Sequence, residues 1–153
     1  MSDYVERQVY PVTVLVLVGL IFVGLFAVLL AIEAATAAAA LLAWSGVAFT
    51  FAAFLAFSRL TTTVTPDTVT AAFRFGRPRR VIPVTAVLAV RVRRNSWWLG
   101  WGLRKVPKGW MYNLWGVGAV ELQLDSGAVF RTGSAHPEEL EAAIGAELLG
   151  PMR

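Results

Sequence analysis

The residues with the most chemistry to offer lie between positions 91 and 118, RVRRNSWWLGWGLRKVPKGWMYNLWGVG. This stretch holds five of the six tryptophans (Trp97, Trp98, Trp101, Trp110 and Trp115), with Tyr112 among them. Arg91, Arg93, Arg94, Arg104, Lys105 and Lys108 are interleaved with the rings. Indole prefers a bilayer interface, and each basic side chain near anionic lipid contributes on the order of 1 kcal/mol. Such a segment suits recognition of a lipid head group or a partner surface. The candidate contacts are Arg93, Arg94, Trp97, Trp98, Lys105, Lys108, Trp110 and Trp115. A secondary basic patch, Arg77, Arg79 and Arg80, could attract the same anionic lipid.

Other chemistries lack their parts. There is no cysteine, so disulfides, thiolate metal sites and cysteine nucleophiles are excluded. The single histidine, His136, cannot build a histidine metal cluster, and it precedes Pro137 at an expected helix start. Ser96, Ser126 and Ser134 lie outside any G-x-S-x-G signature. Glu121 is expected to alternate outward on its strand, without a carboxylate partner for acid–base work. Gly100-Trp101-Gly102 is no phosphate loop and fits a bulge or tight bend. Mixed basic and aromatic residues also occur in single-strand nucleic-acid binders, but no RNP-like motif is present. The expectation is therefore no catalytic residue, no metal, no cofactor and no nucleic acid.

The elements that must carry these residues divide the chain in two. Of its 153 residues 57% are hydrophobic and 16% charged, with a mean hydropathy of +0.62. Between Arg7 and Arg59 the sole charged side chain is Glu33. From residue 58 onward 13 Lys and Arg stand against 7 Asp and Glu, a net +6 within an overall +4. Residues 12–32 and 37–57 are each long enough to cross a bilayer core of about 30 Å. One continuous helix over 8–58 would be about 75 Å long, so a turn is expected at Glu33-Ala34-Ala35-Thr36, where a carboxylate is tolerable at the membrane edge. The small residues Ala35-Thr36-Ala37 suggest signal cleavage, but the apolar run is too long and Asp3 and Glu6 offset the basic N-region. Arginine follows the second span and the outer loop has none, so both termini are expected in the cytoplasm of an inner membrane. Trp44 falls inside the second span, where it can pack between helices. Ala48, Ala52 and Ala56 form a stripe suited to close packing within the hairpin or to homo-oligomerisation.

After residue 58 the period becomes two. Leu60, Thr62 and Val64 share one face; Val69, Ala71, Phe73 and Phe75 follow; then Leu88, Val90 and Val92; then Val120, Leu122 and Leu124. Turn residues separate these runs, as in half-buried antiparallel strands. Pro137, the glutamates after it and Leu140, Ile144 and Leu148 at helical spacing predict a helix over about 137–149. The domains are a tail over 1–11, a transmembrane helical hairpin over 12–57 and a β-domain over 58–150.

The run Gly100-Trp101-Gly102-Leu103-Arg104, Gly109, Tyr112-Asn113, Gly116, Ala119-Val120-Glu121-Leu122, Gly127, Phe130-Arg131-Thr132-Gly133, Pro137 and Leu140 resembles the bacterial membrane proteins in which two transmembrane helices precede a pleckstrin-homology-like domain. The likeness covers about residues 59–149. It implies a mainly-β PH-like barrel or sandwich, seven-stranded and strongly bent, capped by a C-terminal helix and usually of unassigned function. Within that motif Trp101 and Tyr112 are expected in the core, with Trp97 and Trp98 outside. The eukaryotic relatives' phosphoinositide site needs cations around the first hairpin, whereas Thr65-Pro66-Asp67-Thr68 has none before Arg74. The expected function is a non-enzymatic, membrane-anchored scaffold subunit that binds a protein partner. The alternative is a module that engages anionic lipid of the inner leaflet through its Trp/Arg segment.

Overall fold

The computed structural model describes residues 3–31, 36–99 and 101–150. They form two compact units, one spanning Tyr10–Ala56 and one built from the residues up to Val9 and from Phe57 onward.

The first unit is a pair of helices, α1 (Val12–Ala31) and α2 (Ala37–Ala56). Each has 20 residues, no charge and no buried residue, and each is long and apolar enough to cross a membrane. Phe22 meets Phe51 edge-on at 5.2 Å, and Phe26 meets Trp44 at 5.0 Å. Ascending α1 therefore means descending α2, and Trp44 is an interhelical packing residue. The hydroxyls of Ser45 and Thr50 donate to the carbonyls of Leu42 (3.0 Å) and Gly46 (2.8 Å), so neither is left bare in an apolar helix. The Ala39 N–H donates to Thr36 Oγ1 at 3.2 Å, an N-cap for α2. Glu33, Ala34 and Ala35 of the expected turn lie outside the described residues. Ala48 and Ala52 are exposed and Ala56 is half-buried, so the alanine stripe is not used against α1.

The second unit is mainly β. One sheet has the order β1 (Tyr4–Val9), β2 (Arg59–Val64), β3 (Thr68–Phe73), β4 (Arg79–Pro83), antiparallel throughout. The other has five strands: β5 (Val87–Arg94), β6 (Gly102–Val106), β7 (Gly109–Asn113), β8 (Gly118–Leu124) and β9 (Val129–Gly133). Their order across the sheet is β5-β8-β9-β7-β6. Among the described residues neither sheet closes into a barrel, and each keeps two edge strands.

Period-two burial sets which faces meet. Leu60, Thr62, Val64, Val69, Ala71, Phe73 and Ile82 are buried on the first sheet, and Tyr112, Val120, Leu122, Leu124 and Phe130 on the second. Phe73 bridges them, lying 5.5 Å from Tyr112, which in turn lies 5.2 Å from Phe130. Thr62 and Thr132 satisfy each other across the core at 3.1 Å. The helix α3 (Pro137–Leu149) buries Leu140 and Ile144 completely, with Leu148 only partly covered.

Several expectations from alternation fail for local reasons. Residues 4–9 read as part of a tail, yet they form an edge strand whose inward side chains, Glu6 and Gln8, are polar. Strand β3 ends at Phe73, and Phe75 is exposed in the turn beyond it. A register shift between Val87 and Ala89 buries Val87 and turns Leu88 outward, at 69% exposure. Not all neighbours are antiparallel: β9 inserts between β8 and β7 and runs parallel to β7. That close approach needs Gly109, because a Cβ there would overlap the Val129 carbonyl oxygen.

Candidate aromatic and basic surface

The segment 91–118 begins as edge strand β5, breaks into a short 3-10 turn at Trp97–Leu99, and returns as the hairpin β6–β7. The turn is pinned at its base, where the Asn95 N–H donates to the Val117 carbonyl at 2.6 Å. The loop after β7 is held from β1: Gln8 donates to the Trp115 carbonyl (2.7 Å) and accepts from the Leu114 N–H (3.2 Å). Gly116 follows at a φ of 80°, which favours glycine.

On this frame the tryptophans sort into three groups. Trp97 and Trp98 stack on each other with centroids 3.7 Å apart, and they are 69% and 78% exposed. Trp101 stacks on half-buried Trp115 at 4.6 Å. Trp101 was expected in the core but is 50% exposed: it precedes β6, whose first residue, Gly102, turns the chain at a φ of 86°. Ser96, Trp97, Trp101, Trp115, Gly116 and Val117 line a cleft of about 390 Å³. Trp110 lies elsewhere, in a cavity of about 280 Å³ that it shares with Arg80, Leu103, Tyr112, Leu124 and Phe130. Tyr112 is buried in line with its expected core position. Gly100 lies outside the described residues.

The basic residues divide as well. Arg94, Lys105 and Lys108 are exposed, as are Arg77, Arg79 and Arg80. Arg104 Nε donates to the Trp101 carbonyl at 3.2 Å, fixing a guanidinium beside the cleft. Arg77 and Arg79 line a separate basic hollow with Gly76, Pro78 and Val81, while Arg80 belongs to the Trp110 cavity.

Two polar clusters were not legible beforehand. Glu121 does not face solvent: it is buried, bonded to Arg93 Nε at 3.2 Å and to Arg131 Nη2. Arg131 reaches on to Asn95 Oδ1 at 2.9 Å. Burial works to raise the Glu121 pKa, but the hydrogen bonds and charges of Arg131 and Arg93 outweigh it and hold the carboxyl below its ordinary value. The second cluster is Glu6, whose carboxylate accepts from Ser134 Oγ (2.7 Å), the Ala135 N–H (2.6 Å) and the His136 N–H (3.3 Å). A strand side chain thus caps the approach to α3, at the positive end of its dipole. His136 itself is exposed, 3.9 Å from Glu139. Among the described residues no group of three or more His, Asp or Glu side chains could hold a metal ion.

Compared with known proteins, the chain matches no family model, no curated protein and no solved structure. Fold and surface define a mainly-β unit joined to two helices long and apolar enough to span a membrane.

Proposed function

We propose that this chain is a membrane-anchored, non-catalytic interaction module whose aromatic and basic surface captures a protein partner at the inner face of the membrane. The observation that carries the reading is the exposure of Trp97, Trp98, Trp101 and Trp110, each at least half accessible. A folded domain seldom leaves that much indole in water, and tryptophan with arginine is the composition of interface hot spots. Residues 68–120 contain ten Lys and Arg and no Asp or Glu, so the partner surface is acidic. The absence of catalytic machinery is part of the proposal. Ser134, the serine with a carboxylate partner, is buried and spends its hydroxyl on Glu6. The two sheets and closing helix are consistent with the layout expected of a PH-like domain, whereas nine described strands in place of seven and the parallel pair β7–β9 depart from it.

A second reading has its own observation. The stacked Trp97–Trp98 pair follows Arg93 and Arg94 after two intervening residues, a combination that favours an anionic bilayer interface. One experiment separates the two. A photo-crosslinking residue replaces Trp98 in the full chain in its native membrane. A discrete protein adduct supports partner capture, and adducts with lipid alone support lipid engagement and overturn partner capture. No adduct of either kind would sink both.

A further inference from the structure

We propose that the open seam between β4 and β6 receives an extended acidic segment of the partner, which adds to β6 as a strand and seats an apolar side chain in the Trp110 cavity. This rests on the partner-capture reading and assigns it a site. Among the described residues strand β6 has one neighbour, β7, and no strand beyond it. Its hairpin turns on Pro107 and Lys108, with Val106 opposite Gly109. The pair flanking a two-residue turn exchanges main-chain hydrogen bonds, and bonded pairs alternate from there. Gly102 and Arg104 therefore bond to β7, while the N–H and C=O groups of Leu103 and Lys105 point to the free edge. Such an edge is a template for an added strand.

The seam also has a receptor for a side chain. Leu103, Trp110, Tyr112, Leu124 and Phe130 surround about 280 Å³ between the layers, room for an aromatic or branched aliphatic group. Charge decides the rest of the occupant. Arg80 lies opposite Ala71 in β4, on the face that the first sheet buries, so an edge-strand cation borders the cavity from the other layer. Arg104, Lys105 and Lys108 are exposed along β6 and its turn, and none has an ion pair among the described residues. An apolar or basic strand would leave these cations facing no counter-charge. Lys105 shares the cavity face with Leu103, opposite Trp110, whereas Arg104 lies on the other face. A strand that seats apolar residues in the cavity therefore turns its alternate, acidic residues toward Arg104, and its acidic end reaches Lys108 at the turn.

The test uses the full chain in nanodiscs of neutral phosphatidylcholine and the blocked, labelled peptide Glu-Val-Glu-Phe-Glu-Val-Glu, with binding read by fluorescence anisotropy. The control, Glu-Pro-Glu-Phe-Glu-Pro-Glu, keeps charge and phenyl group but cannot pair along an edge. The first peptide should bind in a salt-sensitive way, and the control about tenfold more weakly. Lys105→Pro removes an outward N–H and leaves the β6–β7 ladder intact, so binding should fall about tenfold. Arg104→Gln reports the charge on the acidic face and should cost several-fold. Lys105→Gln, on the cavity face, should change binding less than about twofold and so separates the lost N–H from the lost charge. Equal binding of both peptides, no binding, or indifference to Lys105→Pro and Arg104→Gln would overturn the proposal. So would disulfide cross-linking between two Lys105→Cys copies, which would mean that a second copy of this chain occupies the edge. If the site fails while Trp98 still yields its protein adduct, partner capture stands and only its location is wrong.

Discussion

Replacing Glu6 with alanine tests whether a strand that reads as a tail is a structural part of the β unit. The carboxylate accepts three hydrogen bonds, from Ser134 Oγ and the Ala135 and His136 N–H groups, in a side chain that is only 8% exposed. A hydrogen bond to a charged group contributes about 1.5–3 kcal/mol net, and an N-terminal carboxylate adds up to about 1 kcal/mol through the helix dipole. The contributions do not add fully: the His136 N–H also reaches Ser134 Oγ at 3.0 Å and keeps that acceptor after the change. The expected loss for Glu6→Ala is about 3 kcal/mol. Glu6→Gln retains an acceptor of the same length and should lose about 1 kcal/mol. The assay is urea unfolding of the full chain in neutral micelles, followed by tryptophan fluorescence, since five of the six indoles belong to the β unit. With a slope of about 1.5 kcal/mol per molar urea, the alanine variant's midpoint should fall by about 2 M. Amide exchange at the start of α3 should accelerate in parallel. A midpoint within about 0.3 M of the parent, with α3 protection unchanged, would refute the reasoning.

Other outcomes follow from the second sheet. Because the folded-state pKa of Glu121 is depressed, its contribution is fully present above the unfolded value of about 4.5 and is lost as pH falls through the lower folded value. A pH series of urea midpoints should show that acid-side loss in the parent and a smaller one in Glu121→Gln. At neutral pH, Glu121→Ala leaves the half-buried Arg131 without its carboxylate and should cost about 2 kcal/mol in the same titration. Gly109→Ala should cost about 2–4 kcal/mol or prevent folding, since its Cβ would force β7 from β9; a parent-like midpoint would contradict the parallel pairing.

Much of this was written in local pattern. Two charge-free stretches give two helices, because helix hydrogen bonding satisfies the backbone without help from elsewhere, and length with apolar composition makes each able to cross a bilayer. Alternation at Leu60–Val64, Val69–Phe73 and Val120–Leu124 gives strands with the expected faces buried, and Pro137 starts α3 as predicted. The density of tryptophan and arginine over 91–118 marks an unusual surface before any fold is known. Alternation assumes that apolar residues face inward, however, so it misreads places where neighbours pay for a buried polar group. Glu6 is buried because Ser134, Ala135 and His136 supply its donors from a distant part of the chain. Glu121 turns inward because β5 and β9 bring it Arg93 and Arg131.

Sequence by itself therefore determined the three helices, the strands around residues 60–64, 69–73, 88–92 and 120–124, and that aromatic and basic side chains crowd one segment. Strands β1, β4, β6 and β7 emerged only with the fold. Tertiary structure alone decided how those side chains divide, with Trp97, Trp101 and Trp115 around one cleft and Trp110 with Arg80 around another. The reason is range: periodicity reports the environment a residue creates within its own element. Insertion of β9 beside β7 and the free edge of β6 depend on strand pairing between residues far apart in the chain, which no local spacing encodes.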